Sequence, residues 1–182
     1  GNKETPVGII IENKSLRNKS EMITKEDLNR KAMHELIYYY LEERIEHNNT
    51  DIRHLIANNM YEFFIFDGQD FDKYFYQNKS LVKEYKAFKS GQKVRKDTSF
   101  FYEDIASKYV KDVQDLIPFT FFDLQKYKHS IESSSEDDLK KLAPLYRIFS
   151  DIHLLKKPFK NDNNSLNDKF YKELLHILGL EE

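Results

Sequence analysis

Residues 8–15 read GIIIENKS, three isoleucines that run into a glutamate and a lysine. β-branched residues favour extended backbone, so Pro6 to Lys14 is predicted to form one strand. The nearly continuous apolar character is typical of a strand that is covered on both faces. Side chains two positions apart on a strand project to the same face, which places Glu12 beside Lys14 at its carboxyl end. The pair is either a solvated ion pair, worth about 0–1 kcal/mol, or part of a chemical site.

The composition is that of a globular protein. The chain has 182 residues, of which 40% are hydrophobic and 33% charged, and a net charge of −2. This length suffices for one domain with a core, or for a domain with a short extension. The net charge provides no global basic field for nucleic acid, although it leaves room for local basic patches.

The lack of cysteine and the lack of a long apolar run exclude further classes of protein and of site. The sequence contains no cysteine, which excludes disulfides, zinc–thiolate sites and thiol catalysis and favours a cytoplasmic location. No apolar run approaches the roughly 20 residues that span a bilayer, so no membrane partner is expected.

Hydrophobic periodicity predicts an α/β fold with a mixed central sheet flanked by helices. In chain order, the predicted elements after the first strand are a helix over 25–47, strands over 52–58 and 60–66, helices over 71–92 and 99–116, and a strand over 117–124. Further helices follow, the last of them starting near Ser165. The predicted organisation is an α/β core over 1–128 and a C-terminal helical extension over 129–182.

Glu12 and Lys14 suit phosphate chemistry. In open α/β sheets, ligands tend to bind at the carboxyl ends of strands. A carboxylate there can hold a hard cation through oxygen. A neighbouring ammonium can orient or deprotonate a water, or stabilise charge that develops on a phosphate.

The order of an apolar strand ending in Glu-x-Lys, a basic loop, a long helix and two more strands resembles the PD-(D/E)XK nuclease core. More specifically, the chain resembles the N-terminal nuclease region of type IIG-like fused restriction–modification proteins. In those proteins an endonuclease core and a helical connector precede an adenine-N6 DNA methyltransferase. The matching stretches are PVGIIIENKSLRNKSEMIT (6–24), NRKAMHELIYYYLEERI (29–45), NNMYEFFIFDGQDFDKYF (58–75) and KFYKELLHILGLEE (169–182).

The resemblance implies a metal-dependent DNA endonuclease. It makes Glu12 a Mg²⁺-coordinating carboxylate and Lys14 the catalytic lysine, with double-stranded DNA as the substrate. The family carries a further acidic residue, usually Asp, on the preceding strand, whereas the only acid upstream of Pro6 is Glu4. The restriction-endonuclease-like core is therefore expected to be incomplete at its N-terminus, to lack one metal ligand, and to be inactive as an isolated fragment.

Two secondary sets of residues are candidates for the same site. His34 and Tyr38 are i and i+4 on the long helix, where some nucleases of the superfamily carry Gln-x-x-x-Tyr facing the active site; they either line the site or form a structural pair. Arg17 and Lys19 make the loop after the strand basic, and they either contact DNA phosphates or are solvated.

Two functional hypotheses remain open. The first is a DNA endonuclease domain in which Glu12 and Lys14 carry the chemistry. The second is a non-catalytic nuclease-like scaffold that docks a methyltransferase domain through the long helix and the tail from about residue 136. A Gly-rich cofactor loop and an Asn-Pro-Pro-Tyr-like tetrapeptide are both absent from the sequence. Methylation and its cofactor S-adenosylmethionine are therefore expected only in a C-terminal methyltransferase region of a longer parent protein.

Overall fold

Four strands form one mixed sheet in the computed structural model, which describes residues 5–93, 95, 97–133 and 135–157. The strands are β1 (Ile9–Asn13), β2 (His54–Asn58), β3 (Glu62–Asp67) and β4 (Thr120–Asp123), in the spatial order β1-β2-β3-β4. β1 runs parallel to β2, whereas β2, β3 and β4 pair antiparallel. β1 is therefore an edge strand of the sheet that the described residues form.

Helices account for most of the remaining described chain. They are α1 (Lys31–Ile45), α2 (Gly68–Phe71), α3 (Lys79–Lys89), α4 (Thr98–Phe100), α5 (Ser107–Val113), α6 (Lys128–Glu132), α7 (Glu136–Ile148) and α8 (Asp151–Leu154). π-helical segments at Asp72–Tyr76 and Phe101–Ala106 follow α2 and α4, and 3₁₀ turns at Gln114–Leu116 and Leu124–Tyr127 flank β4. The predicted α/β class, a mixed sheet flanked by helices, is confirmed.

The long helix α1 begins at Lys31, later than the predicted start at residue 25. The Thr24 hydroxyl accepts a hydrogen bond from the Asp27 backbone N–H at 3.1 Å, and the Thr24 N–H donates to the Asp27 carbonyl at 2.9 Å. These bonds close a turn instead of capping a helix, since Thr and Asp side chains offer the backbone a local alternative to helical bonding.

The helix that was predicted over 71–92 is interrupted at Asn78. The Asn78 side chain accepts hydrogen bonds from the Ser80 and Leu81 N–H groups and so begins α3 as a new helix. α3 ends at Lys89, close to the predicted end at residue 92, and Gly91 has a φ of 73°, a left-handed conformation that is common just after a helix.

The main core lies between one face of the sheet and a helical layer built from α1, α3 and the Phe101–Ala106 segment. Side chains that are fully buried there include Leu36, Leu41, Leu55, Phe64, Phe66, Tyr85 and Phe101. Each buried side chain of this size contributes about 1.5–3 kcal/mol of hydrophobic stabilisation. α1 is therefore enclosed by the sheet on one side and by helices on another.

α7 packs on the opposite face of the sheet, where Leu142 and Leu145 join Ile56, Ile65 and Phe122 in a second, smaller cluster. α7 thus lies on the sheet, and the division between 1–128 and 129–182 stays a prediction. The helix predicted from Ser165 lies outside the described residues. Within the described part of the chain, no helix has the length and apolar character needed to cross a membrane.

β1 differs from the prediction in how it is covered. Ile10 faces the main core and is only 8% exposed, whereas Ile11 on the opposite face is 59% exposed. The expectation that this strand is covered on both faces is therefore wrong at Ile11, because the helices on the second face cluster over β2, β3 and β4.

Candidate active site

The carboxyl end of β1 and the first turns of α1 come together at one corner of the main core. β1 and β2 are parallel neighbours joined through α1, so α1 returns along the sheet and its start lies near the end of β1. Glu12 and Lys14 follow Ile10 at intervals of two residues and share its face of the sheet, which is the face covered by α1. The topology thus directs both side chains toward α1.

Lys14 lies at the centre of a cluster of three carboxylates. Its Nζ lies 3.1 Å from Oε1 of Glu12 and 3.5 Å from Oε2 of Glu21, and it donates a hydrogen bond to Oε2 of Glu35. The Lys14 side chain is only 7% exposed. Its backbone N–H donates to the Asn58 carbonyl at 2.7 Å, which continues the β1–β2 ladder by one residue. The predicted pair of Glu12 and Lys14 is thus brought together, with two further acids.

The electrostatics of the cluster keep Lys14 charged. Burial disfavours the ammonium form, but hydrogen bonds to Glu35 and Glu12 and their charges outweigh burial and raise the Lys14 pKa. A lysine with a raised pKa is protonated at neutral pH, so it can orient a ligand or stabilise negative charge rather than act as a base. Of the two roles considered for Lys14, the geometry favours charge stabilisation.

At Glu12, in contrast, the effects of burial and of Glu35 on the pKa outweigh the effect of the contact with Lys14. Burial raises the Glu12 pKa, Lys14 partly offsets this by hydrogen bonding and charge, and Glu35 raises the pKa further. Glu12 and Glu35 both have Lys14 as their ion-pair partner among the described residues, whereas Glu21 also pairs with Lys31 at 3.0 Å. Additional positive charge next to Glu12 and Glu35 would therefore be stabilising. A divalent cation is one source of such charge.

Glu35 is the more buried of the two acids that the sequence analysis missed, the other being Glu21. Glu35 lies in the first turns of α1 and is only 9% exposed. No local pattern marked Glu35, because a glutamate between the apolar positions Met33 and Leu36 is equally typical of a solvent-facing site on a helix. Tyr39, one turn further on, belongs to the same corner, since burial raises its pKa and the charges of Glu12 and Glu35 raise it further.

His34 and Tyr38 lie one position away from this pair and project elsewhere. The His34 ring contacts Oδ1 of Asn29 at 2.7 Å. The Tyr38 ring packs against Phe101 and Tyr85, with ring centroids 5.4 and 5.9 Å away. Among the contacts of the described residues, none joins either side chain to Glu12 or Lys14. The residues with helical spacing that face the cluster are Glu35 and Tyr39.

The basic loop borders a cavity. Arg17 and Lys19 are exposed, and Lys19 lines a cavity of about 430 Å³ together with Ser15, Thr24 and Arg30. Ser15 and Met22 in this lining directly follow Lys14 and Glu21 in the sequence, whereas the cluster residues themselves do not line the cavity. Its other walls include Asn59, Tyr61, Glu62, Asp123 and Gln125. The phosphate-contact role of Arg17 and Lys19 stays a prediction.

The donor set is compatible with magnesium. Mg²⁺ prefers oxygen ligands and is commonly bound by one or two protein carboxylates, with substrate phosphate and water completing the shell. Glu12 and Glu35 supply two carboxylates that share the Lys14 ammonium. Within the described ranges, no group of three or more His, Cys, Asp or Glu side chains is arranged to hold a metal ion. A metal held here would therefore rely on non-protein oxygens for the rest of its shell.

Comparisons with other proteins place the chain in a family. Neither the curated proteins nor the solved structures gave a match. A family described as a domain of unknown function (DUF7149) matches residues 1–162. Because this match covers most of the sequence, the chain belongs to the DUF7149 family.

Proposed function

We propose that the chain is the nuclease domain of a DNA endonuclease that hydrolyses phosphodiester bonds with Mg²⁺. The observation that carries this proposal is the buried contact of Lys14 with two carboxylates, Glu12 and Glu35, at the carboxyl end of a strand. A surface ion pair would not require a lysine that is 7% exposed to be surrounded by acids. The parallel β1–β2 pair, joined by α1 and followed by antiparallel β3, supports a restriction-endonuclease-like core.

Three residues of the cluster and the neighbouring Tyr39 have roles in this proposal. Glu12 and Glu35 would hold the metal, which when bound would supply Lewis-acid chemistry for attack on the phosphodiester. Lys14, kept protonated by the two acids, stabilises the negative charge that develops on the phosphate. Tyr39 is 37% exposed and is close enough for the charges of Glu12 and Glu35 to raise its pKa, and its proposed role is to donate a hydrogen bond to a substrate oxygen.

In this proposal Glu35 takes the place of the further acidic residue that the resemblance puts on a preceding strand. In this chain α1 offers a second carboxylate to Lys14 from the following helix. We therefore assign Glu35 the role of second metal ligand, so that both proposed carboxylate ligands come from described residues.

Double-stranded DNA is the proposed substrate, and a C-terminal adenine-N6 methyltransferase region of a longer parent protein is the proposed partner. S-adenosylmethionine would bind to that region and not to these residues. The arrangement is that of a restriction system in which one polypeptide both cleaves and modifies DNA.

Cleavage of plasmid DNA by the full-length parent protein with Mg²⁺ tests the proposal. The Lys14→Ala variant should lose roughly 100-fold or more of the cleavage rate, because a charge-stabilising donor is removed from the reacting phosphate. Lys108→Ala is the matched control, since Lys108 is exposed on α5 and lies outside the cluster. A folded Lys14→Ala protein that cleaves at the wild-type rate would overturn the nuclease assignment and favour the non-catalytic scaffold.

A further inference from the structure

A large groove lies at the far end of α1 from the carboxylate cluster. It has a volume of about 1060 Å³ and runs between the last turns of α1 and the length of α3. Its lining residues are Arg44, Ile45, Asn48, Tyr76, Gln77, Lys79, Val82, Lys83, Lys86, Ala87, Ser90 and Gln92. Glu35 and Arg44 are separated by about 13 Å along the helix axis, at 1.5 Å per residue. The groove is therefore separate from the proposed catalytic site.

The charge of the groove is unusual for this protein. Its lining contains four cationic residues and no carboxylate, although the chain as a whole carries a net charge of −2. Lys79, Lys83 and Lys86 have no ion-pair partner among the residues that the structure describes. The groove therefore presents three uncompensated ammonium groups.

Carboxylates near the groove are already engaged. Asp72 pairs with Arg44 at 2.6 Å, and Glu42 and Glu46 both pair with Lys89, at 2.8 and 3.0 Å. The Arg44 guanidinium also stacks over the Tyr76 ring, with 4.3 Å between the guanidinium carbon and the ring centroid. Arg44 thus builds one wall of the groove and leaves the three lysines as its free charges.

The spacing of these lysines matches a nucleic-acid strand. Lys79, Lys83 and Lys86 are at positions i, i+4 and i+7 of α3, so they lie on one face and span about 10 Å along its axis. One DNA strand carries a phosphate about every 3.4 Å of helix axis, so this span faces about three phosphates. Gln77, Ser90 and Gln92 add neutral groups of the kind that donate hydrogen bonds to phosphate oxygens.

We propose that this groove, the α3 lysine groove, binds the phosphates of a DNA strand outside the site of cleavage. The choice of DNA as the bound polyanion rests on the proposed nuclease function. The positive charge of the groove and the spacing of its three lysines are independent of that function. The apolar floor formed by Ile45, Val82 and Ala87 would also suit an acidic amphipathic peptide, and the test separates the two occupants.

The test measures binding of the full chain to a fluorescent DNA duplex without divalent cations, over a series of salt concentrations. The triple variant K79Q/K83Q/K86Q removes the three groove charges. The matched control K108Q/K111Q/K126Q removes three charges from exposed lysines elsewhere, for which the described residues provide no ion-pair partner. Each phosphate contact contributes about 0.9 to the slope of log affinity against log salt, so the groove variant should lose about 2.7 from this slope. Its affinity at low salt should fall roughly tenfold or more, and the control should keep the wild-type slope.

Two results would overturn the groove proposal. One is an equal decrease, in the groove variant and in the control, of the slope of log affinity against log salt. Such a result would mean that duplex binding depends only on the overall charge of the protein. The other is a wild-type chain that binds no duplex at low salt, which would leave the acidic peptide as the better occupant. These results are distinct from failure of the nuclease function, which would appear as unchanged cleavage by Lys14→Ala in the parent protein.

Discussion

Lys14, which directly follows β1, and Glu35 of α1 form a buried ion pair between residues that are 21 positions apart in the sequence. The pair attaches the start of α1 to the end of the edge strand. Removing one partner of a buried pair leaves an uncompensated charge, at a typical cost of about 3–5 kcal/mol. A natural protein retains such a pair more readily when the charges serve a function, which agrees with the proposed site.

Metal binding should separate the roles of the two residues. Glu35→Gln removes a proposed ligand and should weaken binding of Mn²⁺, used as a spectroscopic substitute for Mg²⁺, by roughly tenfold or more. Lys14→Met removes a positive charge from between two carboxylates and should leave Mn²⁺ affinity unchanged or increased. Electron paramagnetic resonance of free Mn²⁺ measures both effects without reference to cleavage.

Glu26→Gln is the control for these titrations, because Glu26 is an exposed acid in the loop before α1. Wild-type Mn²⁺ affinity in Glu35→Gln would show that the second ligand has been assigned to the wrong residue. In the parent protein, Lys14→Met and Glu35→Gln should both lose cleavage, whereas Glu26→Gln should not.

Tyr38 and Tyr39 should respond differently to mutation. Tyr38→Leu removes a ring that packs against Phe101 and Tyr85, and should lower the free energy of unfolding by about 1–3 kcal/mol. Tyr39→Phe removes only a hydroxyl close to the cluster, and should lower the cleavage rate with little change in stability. Urea denaturation and plasmid cleavage, applied to both variants, measure the two effects. If cleavage instead depends on Tyr38 at unchanged stability, the pair of His34 and Tyr38 lines the site as the sequence analysis considered.

Gly68 should be intolerant of a side chain. A Cβ at this position would lie 2.2 Å from the backbone carbonyl oxygen of Ile52, and backbone atoms there cannot move aside without disturbing the start of α2. Gly68→Ala should therefore destabilise the protein by roughly 1–3 kcal/mol. Gly8→Ala is the matched control, since its Cβ would meet the end of the flexible Leu155 side chain at 2.6 Å. Equal losses of stability in the two variants, measured by urea denaturation, would contradict this explanation.

The contact of β2 with α8 should weaken in acid. His54 is buried, its Nδ1 lies 2.7 Å from the Leu154 carbonyl oxygen, and its ring stacks on His153. Burial lowers the His54 pKa, and the positive charges of Lys156 and His153 lower it further. The hydrogen bond to Leu154 and the charge of Asp67 act in the opposite direction without reversing the shift. Because the folded pKa lies below the ordinary value of 6.5, the folded state binds fewer protons than the unfolded state. Stability is therefore lost as the pH falls from about 6.5 toward the folded pKa.

The measurement is urea denaturation between neutral and mildly acidic pH. His54→Gln keeps a donor for the Leu154 carbonyl but cannot titrate, so its stability should fall less with acidification than that of the wild type. Part of the acid sensitivity should remain in this variant, because burial also lowers the pKa of His34 to about 4. His129→Gln is the control substitution, since His129 is exposed. A profile for His54→Gln identical to that of the wild type would contradict this prediction.

Much of the fold follows from local pattern. The isoleucines of residues 8–15 favour a strand, and the period of two along a strand places Glu12 beside Lys14 with no information from the rest of the chain. The alternation of helical and strand patterns predicts the mixed α/β class. Element boundaries were less predictable, because Thr24 and Asn78 form side-chain bonds with the backbone that override the apolar periodicity.

The part of the site that α1 contributes depends on the rotation of this helix about its axis, which the local sequence pattern does not specify. Buried residues occur around much of this helix, since the sheet covers one side and a helical layer covers another. An apolar stripe therefore could not show whether the helix presents His34 and Tyr38 or Glu35 and Tyr39 to the end of β1. The packing of Tyr38 into the aromatic cluster with Phe101 sets that rotation and turns Glu35 toward Lys14. Contacts between distant segments define the site in this way, because the burial of large side chains outweighs the local preferences of any single residue.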